Sequence, residues 1–130
     1  MTLSYTEALK VPLLDVAQER QLIHNWQNNQ DKSALQALID AHVRLVHSYV
    51  RRFVSFKEDR YEDLVAEGTL GLIQAADRFD LEREARFATY GHWWIANKVR
   101  AAHVTTAEVA DIPPGSTEGR VADPEAIVSN

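Results

Sequence analysis

The chain has 130 residues, of which 45% are apolar and 25% are charged, and this composition excludes collagen-like, wholly disordered and membrane-embedded proteins. Its formal charge of −5 at pH 7 argues against a nucleic-acid partner only if the charge is spread evenly, whereas residues 105–130 carry five acidic side chains against Arg120. Cysteine is absent and no stretch predicts a membrane span or a signal peptide, so we expect a cytoplasmic protein without disulfides or thiolate metal sites.

Two helices are predicted in the first half of the chain. Asp15 and Gln18 have the spacing of a capping box, which predicts a helix that starts after Asp15 and ends in the polar run 28–31. A longer helix is predicted from Ser33 to Phe53, because its apolar residues recur at three- and four-residue intervals. The charged stretch 57–60 then predicts a turn.

Two further helices are predicted over residues 62–79 and 86–104. In the first of them, Gly68 and Gly71 each disfavour a helix by about 1 kcal/mol relative to Ala. We therefore expect another backbone to approach this helix closely at the two glycines. No segment shows the alternation of a β-strand.

The character of the sequence changes at Thr105, after which prolines, small residues and acids predominate. This composition predicts an acidic tail of low order over residues 105–130. The sequence thus predicts an all-α fold, a compact bundle of about four helices in residues 1–104.

Searches for catalytic chemistry find nothing specific. Phosphate-binding, dinucleotide-binding, zinc-protease and serine-hydrolase motifs are absent from the sequence. His42 and His47 lie five residues apart, which does not favour joint metal ligation on one helix face. Asp63 and Glu67 share a helix face, but such a pair is more often a solvated surface than an acid–base pair. We expect no enzyme activity, no cofactor and no metal.

An aromatic cluster offers the one distinctive signal. Five aromatic residues fall within positions 79–94, interleaved with arginines. They could all pack in the core, but neighbours on a helix point about 100° apart, so at least one of Trp93 and Trp94 should lie near the surface. A surface aromatic beside arginines is typical of a platform on which single-stranded bases stack. The residues alone therefore leave two interpretations open, a core and a nucleic-acid surface.

Four runs of residues then stand out: AHVRLV at 41–46, DLVAEGTLGL at 63–72, AADRFD at 75–80 and RFATYGHWWI at 86–95. In this order and spacing they resemble the second conserved region of bacterial RNA polymerase sigma factors, and the resemblance extends over about residues 10–100. The histidine of the first run is the variant associated with the heat-shock-type subgroup of the primary-type sigma family.

This resemblance implies two sets of site residues. One set would dock on the clamp coiled coil of the polymerase β′ subunit: Asp63, Leu64, Glu67, Thr69 and Ile73. The other would bind and melt the −10 promoter element through its non-template strand: Phe79, Arg83, Arg86, Phe87, Thr89, Tyr90, Trp93, Trp94 and Lys98.

The sequence also departs from the family's pattern. Ala66 stands where a Gln is usual, Ala85 where a bulky residue is common, and the residues after Ile95 lack the expected basic continuation. The chain is therefore interpreted either as part of a longer sigma factor that initiates transcription or as a shortened homologue. The shortened form would bind core polymerase or an anti-sigma factor as a regulator or competitor, without opening promoters.

Overall fold

A computed structural model describes residues 2–107, and over these residues the chain is entirely helical and loop, without a β-strand. The five helices are Tyr5–Leu9 (α1), Val16–Asn29 (α2), Lys32–Val50 (α3), Tyr61–Arg78 (α4) and Phe87–Ala107 (α5). The all-α prediction is confirmed, and the four long helices start and end within a few residues of their predicted limits.

The short helix α1 was not predicted. Its start carries a capping box, in which the Ser4 hydroxyl accepts from the Glu7 backbone N–H and the Glu7 carboxylate accepts from the Ser4 N–H. The S-x-x-E spacing was therefore visible in the sequence. A five-residue helix has too few residues to show apolar periodicity, so periodicity could not predict α1.

Helix α2 begins with the capping box that the sequence predicts. The Asp15 carboxylate accepts from the Gln18 N–H at 2.8 Å, and the Gln18 side chain accepts from the Asp15 N–H at 3.0 Å. The helix ends at Gln30 in the left-handed conformation, with φ of 53°. Asp31 then caps α3, so the two helices meet at a sharp corner.

Helix α3 is the centre of the bundle, since it contacts each of the other four helices. It places two histidines in the interior, where each has hydrogen-bond partners. His42 Nδ1 donates to the Leu38 carbonyl at 2.8 Å, and His47 lies between the Tyr61 hydroxyl and the Leu3 carbonyl at 2.6 and 2.9 Å. Burial and these hydrogen bonds make both histidines structural residues of the core.

Helices α4 and α5 pack more closely than any other pair, and glycines explain the close approach. A Cβ atom added at Gly71 would lie 2.7 Å from the backbone oxygen of Trp94. At Gly68 the added atom would meet the side chain of Val46 at 2.6 Å rather than a backbone. The predicted close approach of another backbone is therefore confirmed at Gly71, whereas Gly68 makes room for side chains.

Helix α5 runs to Ala107, three residues past the predicted limit of the helical domain at 104. The rest of the predicted acidic tail, residues 108–130, lies outside the described residues. Within the described part of the chain, no helix combines the length and the hydropathy that a bilayer crossing requires.

Candidate protein and nucleic-acid interfaces

The outer face of α4 forms a mixed acidic and apolar ridge. Asp63 and Ala66 are exposed, Glu67 and Ile73 are half-buried, and Leu70 keeps 48% of its surface exposed. These five positions recur every three or four residues, so they share one side of the helix. We call them the α4 ridge. Leu70 and Ile73 are neighbours on this side of the helix and form an apolar area next to two carboxylates.

Two residues that the resemblance assigns to polymerase docking lie on the inner face of α4 instead. Leu64 is 2% exposed and belongs to the core, and Thr69 is 8% exposed. The Thr69 hydroxyl donates to the Val65 carbonyl at 2.8 Å, one turn back along the helix. In this conformation both side chains shape the helix and its packing, while Leu70, which the sequence analysis left out, occupies the ridge.

The predicted aromatic cluster is one continuous series of ring contacts. Phe87 lies edge-on to Phe79 with ring centroids 5.8 Å apart, and Phe79 lies edge-on to Tyr90 at 5.5 Å. Tyr90 contacts Trp94 at 6.4 Å, and Trp94 contacts Trp93 at 5.8 Å. The five aromatic residues that were grouped from the sequence are therefore in contact with one another, with favourable edge-to-face geometry.

Burial divides this cluster in two. Phe87 is fully buried, and Phe79 and Trp94 are only 5% and 6% exposed, so these three rings belong to the core. Tyr90 and Trp93 are half-buried and Thr89 is exposed. The expectation that at least one of the two tryptophans reaches the surface is confirmed. We call Thr89, Tyr90 and Trp93 the α5 aromatic face.

The basic residues predicted to accompany this face have different surroundings. Arg83 is exposed and forms an ion pair with Asp80, with Nε and Oδ2 3.6 Å apart. Lys98 is half-buried on α5. The guanidinium of Arg78, which was not among the predicted contacts, lies over the Trp94 ring at 5.7 Å. Arg78 of α4 therefore places a cation against this series of rings.

Arg86 is held by a buried carboxylate. Glu19 on α2 is 1% exposed and accepts from Arg86 Nη2 at 3.1 Å and from the Phe87 backbone N–H at 2.9 Å. Arg86 also donates to the Leu14 carbonyl at 3.1 Å. Because Phe87 is the first residue of α5, Glu19 caps this helix from a distant part of the chain. Arg86 thus has a structural role, and about half of its side chain remains exposed.

Helix α2 also fixes the segment that joins α4 to α5. The Gln27 amide donates to the carbonyls of Ala76 and Phe79, both at 2.9 Å, and so satisfies the end of α4. Arg20 donates to the Arg83 carbonyl at 3.2 Å. These contacts could not be predicted from the sequence, because residues 49 to 63 positions apart share no periodic pattern.

The Glu19–Arg86 pair lies close to His42. Burial lowers the pKa of His42 below its usual value of 6.5, while the hydrogen bond to the Leu38 carbonyl and the negative charge of Glu19 act in the opposite direction. The imidazole also packs edge-on against Phe87, with centroids 4.9 Å apart. A neutral histidine therefore supports the start of α5.

The described residues hold no group of three or more histidine or carboxylate side chains with the arrangement of a metal site. The geometry instead offers two surfaces on adjacent helices, an acidic and apolar ridge on α4 and an aromatic face on α5 with a cation beside it.

Comparison with known proteins identifies the fold. The family model for sigma-70 region 2 matches residues 38–106, which is more than half of the chain. The chain belongs to the sigma-70 region 2 family. The α4 ridge and the α5 aromatic face both lie inside the matched residues, whereas α1 and α2 precede them.

Named relatives agree with this assignment. The chain is 38% identical over 104 residues to RNA polymerase sigma factor SigA of Clostridium acetobutylicum, in an alignment that covers 80% of this chain and 27% of that protein. It is 33% identical over 95 residues to RNA polymerase sigma factor RpoH of Caulobacter vibrioides, covering 73% and 32%. RNA polymerase sigma factor RpoS of Coxiella burnetii is 33% identical over 102 residues, covering 78% and 28%. The chain thus spans about a quarter to a third of the length of these relatives.

The predicted family is therefore confirmed. The expectation that the chain is not an enzyme agrees with its membership, since sigma factors are non-catalytic transcription initiation factors. Relatives named SigA, RpoS and RpoH match at similar identity. The assignment to a heat-shock-like subgroup accordingly stays a prediction.

Proposed function

We propose that this chain is a sigma factor domain that docks on the clamp coiled coil of the RNA polymerase β′ subunit through the α4 ridge and binds non-template −10 promoter DNA through the α5 aromatic face. The presence of both surfaces inside one sigma-70 region 2 match is the observation that carries the proposal. Such a protein works wherever its polymerase is, which is the cytoplasm of a bacterium.

The chemistry of the α4 ridge suits a basic partner helix. Asp63 and Glu67 supply negative charge, and Leu70 and Ile73 supply apolar area that would leave water on docking. Carboxylates of this kind contribute to partner choice and association rate more than to raw affinity. We expect the apolar pair to supply most of the binding energy and the acids to select the partner.

The chemistry of the α5 face suits unstacked bases. Tyr90 and Trp93 present parts of two rings to solvent, and each base stacked on an aromatic side chain is worth about 1–3 kcal/mol. Flipping a base out of a duplex costs a few kcal/mol, so two such contacts can offset one flip. Thr89, the exposed third member of this face, supplies a hydrogen-bond donor on the same helix.

The first experiment is titration of a fluorescent non-template −10 oligonucleotide with the chain, alone and together with core polymerase. Binding that depends on core and prefers the −10 sequence supports the proposal. Affinity should fall with rising salt, because phosphate contacts release counterions. Absence of core binding would contradict the docking assignment, and equal affinity for a scrambled oligonucleotide would contradict the −10 assignment.

A second candidate function is that of a regulator or competitor, which occupies core polymerase or an anti-sigma factor without opening promoters. It is favoured by the burial of Phe79, Phe87 and Trp94, which leaves fewer rings available for flipped bases than the resemblance implies. Core binding without an oligonucleotide signal would select this function. The matched control is a known sigma factor in the same titration.

A further inference from the structure

A cluster of arginines lies where the end of α3 meets the C-terminal half of α5. The guanidinium of Arg52 lies over the Tyr49 ring, 5.2 Å from its centroid. Arg100 on α5 donates to the Tyr49 hydroxyl at 3.2 Å, and both arginines are exposed. The same aromatic side chain thus positions both exposed cations.

A third arginine, Arg60 at the N-cap of α4, contacts α5 about one turn further along. Arg60 Nη2 lies within hydrogen-bond distance of His103 Nδ1, 3.1 Å away. His103 packs on Phe53 with centroids 5.0 Å apart, and Phe53 packs on Tyr49 at 5.2 Å. The Glu58 carboxylate lies 3.9 Å from Arg60, and both side chains are partly exposed, so screening by water keeps this pair weak. We call these residues the basic surface: Arg52, Arg60 and Arg100, with Tyr49, Phe53 and His103.

The remainder of the chain begins directly beside this surface. His103 precedes Ala107, the end of α5, by about one helical turn. Residues 108–130 follow, with five acidic side chains against Arg120, a net charge of −4. Fully extended, this segment spans at most about 80 Å, whereas Arg100 lies only about 10 Å back along the helix from Ala107. The segment is therefore long enough to reach the basic surface, and its net charge is opposite in sign to that of the three arginines.

We propose that the acidic segment 108–130 docks electrostatically on the basic surface and competes there with nucleic-acid phosphates. Tethering gives the segment a local concentration of the order of millimolar, so weak individual contacts are sufficient for occupancy. The contact should weaken as salt rises, because the interacting charges are exposed. The docking is inferred from the opposite charges of the segment and the basic surface, whereas the competition with DNA rests on the proposed function.

Docking is tested directly by NMR on the full chain. The variant carries Glu108→Gln, Asp111→Asn, Glu118→Gln, Asp123→Asn and Glu125→Gln together, which removes the charge and keeps the side-chain shapes. The side-chain Nε–Hε resonances of Arg52, Arg60 and Arg100 should shift between the two chains at about 0.1 M NaCl and coincide at about 1 M, where the Debye length falls from about 10 to about 3 Å. Identical resonances at both salt concentrations would overturn the proposal.

Competition is tested by the affinity for a single-stranded −10 oligonucleotide. We expect the neutralised segment to tighten binding about tenfold at about 0.1 M NaCl. The same neutralisation in a chain carrying Arg52→Gln and Arg100→Gln should give little further gain, because the surface that the segment covers is gone. An equal gain in both backgrounds would indicate general charge repulsion and contradict docking. If no form binds the oligonucleotide, the proposed function fails, while the NMR comparison still decides the docking.

Discussion

Helices α4 and α5 pack against each other more closely than any other pair, yet they divide core from surface in different ways. On α4 the two roles fall on opposite faces, with Leu64 and Leu72 inside and Asp63, Glu67 and Leu70 outside. On α5 the roles alternate within one set of touching rings, so buried Trp94 contacts both Tyr90 and Trp93.

This difference decides how separable binding is from folding. A change on the α4 ridge alters side chains that contribute little to the core, so it should affect a partner and leave the fold intact. A change on the α5 aromatic face removes a ring that also supports buried neighbours. The helix with the cleaner amphipathic pattern therefore carries the more easily tested interface.

The largest effect is expected from Glu67→Lys on the α4 ridge. The substitution places a cation where a basic partner helix would dock, and like charges across an interface cost several kcal/mol. We expect core polymerase binding to fall at least about a hundredfold, which corresponds to about 2.7 kcal/mol. Binding is measured by the fluorescence anisotropy of the labelled chain on addition of core polymerase, and helicity by circular dichroism at 222 nm.

Glu82→Lys is the matched control, because it makes the same substitution outside the ridge. Glu82 is exposed and lies in the loop between α4 and α5, nine residues past Ile73, the last residue of the ridge. Its substitution should leave core affinity within about threefold, since only the distant field of the charge reaches the ridge. If both variants lose core binding equally, the ridge is not the docking surface and the effect reflects net charge.

An effect of similar size, on folding and not on binding, is expected from Glu19→Ala at the start of α5. The change leaves the Phe87 N–H without its acceptor and removes the ion pair of Arg86. A buried unsatisfied donor costs about 1–3 kcal/mol, and a charged hydrogen bond contributes about 1.5–3. We expect the free energy of unfolding in urea to fall by about 3 kcal/mol. Glu84→Ala, an exposed carboxylate in the preceding loop, should change it by less than about 0.5.

Tyr90→Ala tests the α5 aromatic face, where one ring serves both binding and packing. The α5 aromatic face should lose about 1–3 kcal/mol of single-strand binding, measured by oligonucleotide titration. Because the ring also contacts Phe79 and Trp94, thermal stability should fall too, by less than the binding energy. Tyr90→Phe removes the hydroxyl that donates to the Arg78 carbonyl but keeps the ring, so oligonucleotide affinity should be retained. A stability loss equal to the binding loss would mark Tyr90 as a core residue only.

How much of the fold and of the candidate site could be predicted from the sequence depends on how far apart in the sequence the contacting residues are. Capping at Asp15 and the apolar stripes of the four long helices follow from residues a few positions apart, so the sequence predicts them. Gly71 predicts a close approach without naming Trp94 as its neighbour. Burial of Thr69 and exposure of Leu70 depend on where α5 lies, which periodicity on α4 resolves only coarsely.

The long-range anchors could not be predicted at all. Glu19 is the single acidic residue of a polar helix and Gln27 is one of its several amides, and neither stands in a local pattern that indicates a distant partner. Only the fold brings Glu19 to the start of α5 and Gln27 to the end of α4. These contacts come from α2, which precedes the matched region, so the geometry of the family's characteristic helices depends partly on residues outside it.

The smallest effect is expected from the protonation of His42, which couples α3 to the start of α5. Burial lowers the pKa of His42 in the folded chain below 6.5, its usual value in the unfolded chain. At a pH between the folded and the unfolded pKa, the unfolded chain binds a proton that the folded chain does not. Stability should therefore fall as pH drops below about 6.5, with a slope of at most about 1.4 kcal/mol per pH unit.

His42→Asn removes this titration while keeping a side chain that can donate to the Leu38 carbonyl. The carboxyl pKa values of Glu7 and Asp31 are lowered by their capping hydrogen bonds to Ser4 and Ser33, so their contributions disappear only below about pH 4.5, outside the window. Urea unfolding at intervals from pH 7.5 to 5 should give a steeper loss of stability for the natural chain than for the variant. Parallel profiles would show that His42 takes up its proton equally in both states, and the neutral imidazole against Phe87 would then have no energetic role at the start of α5.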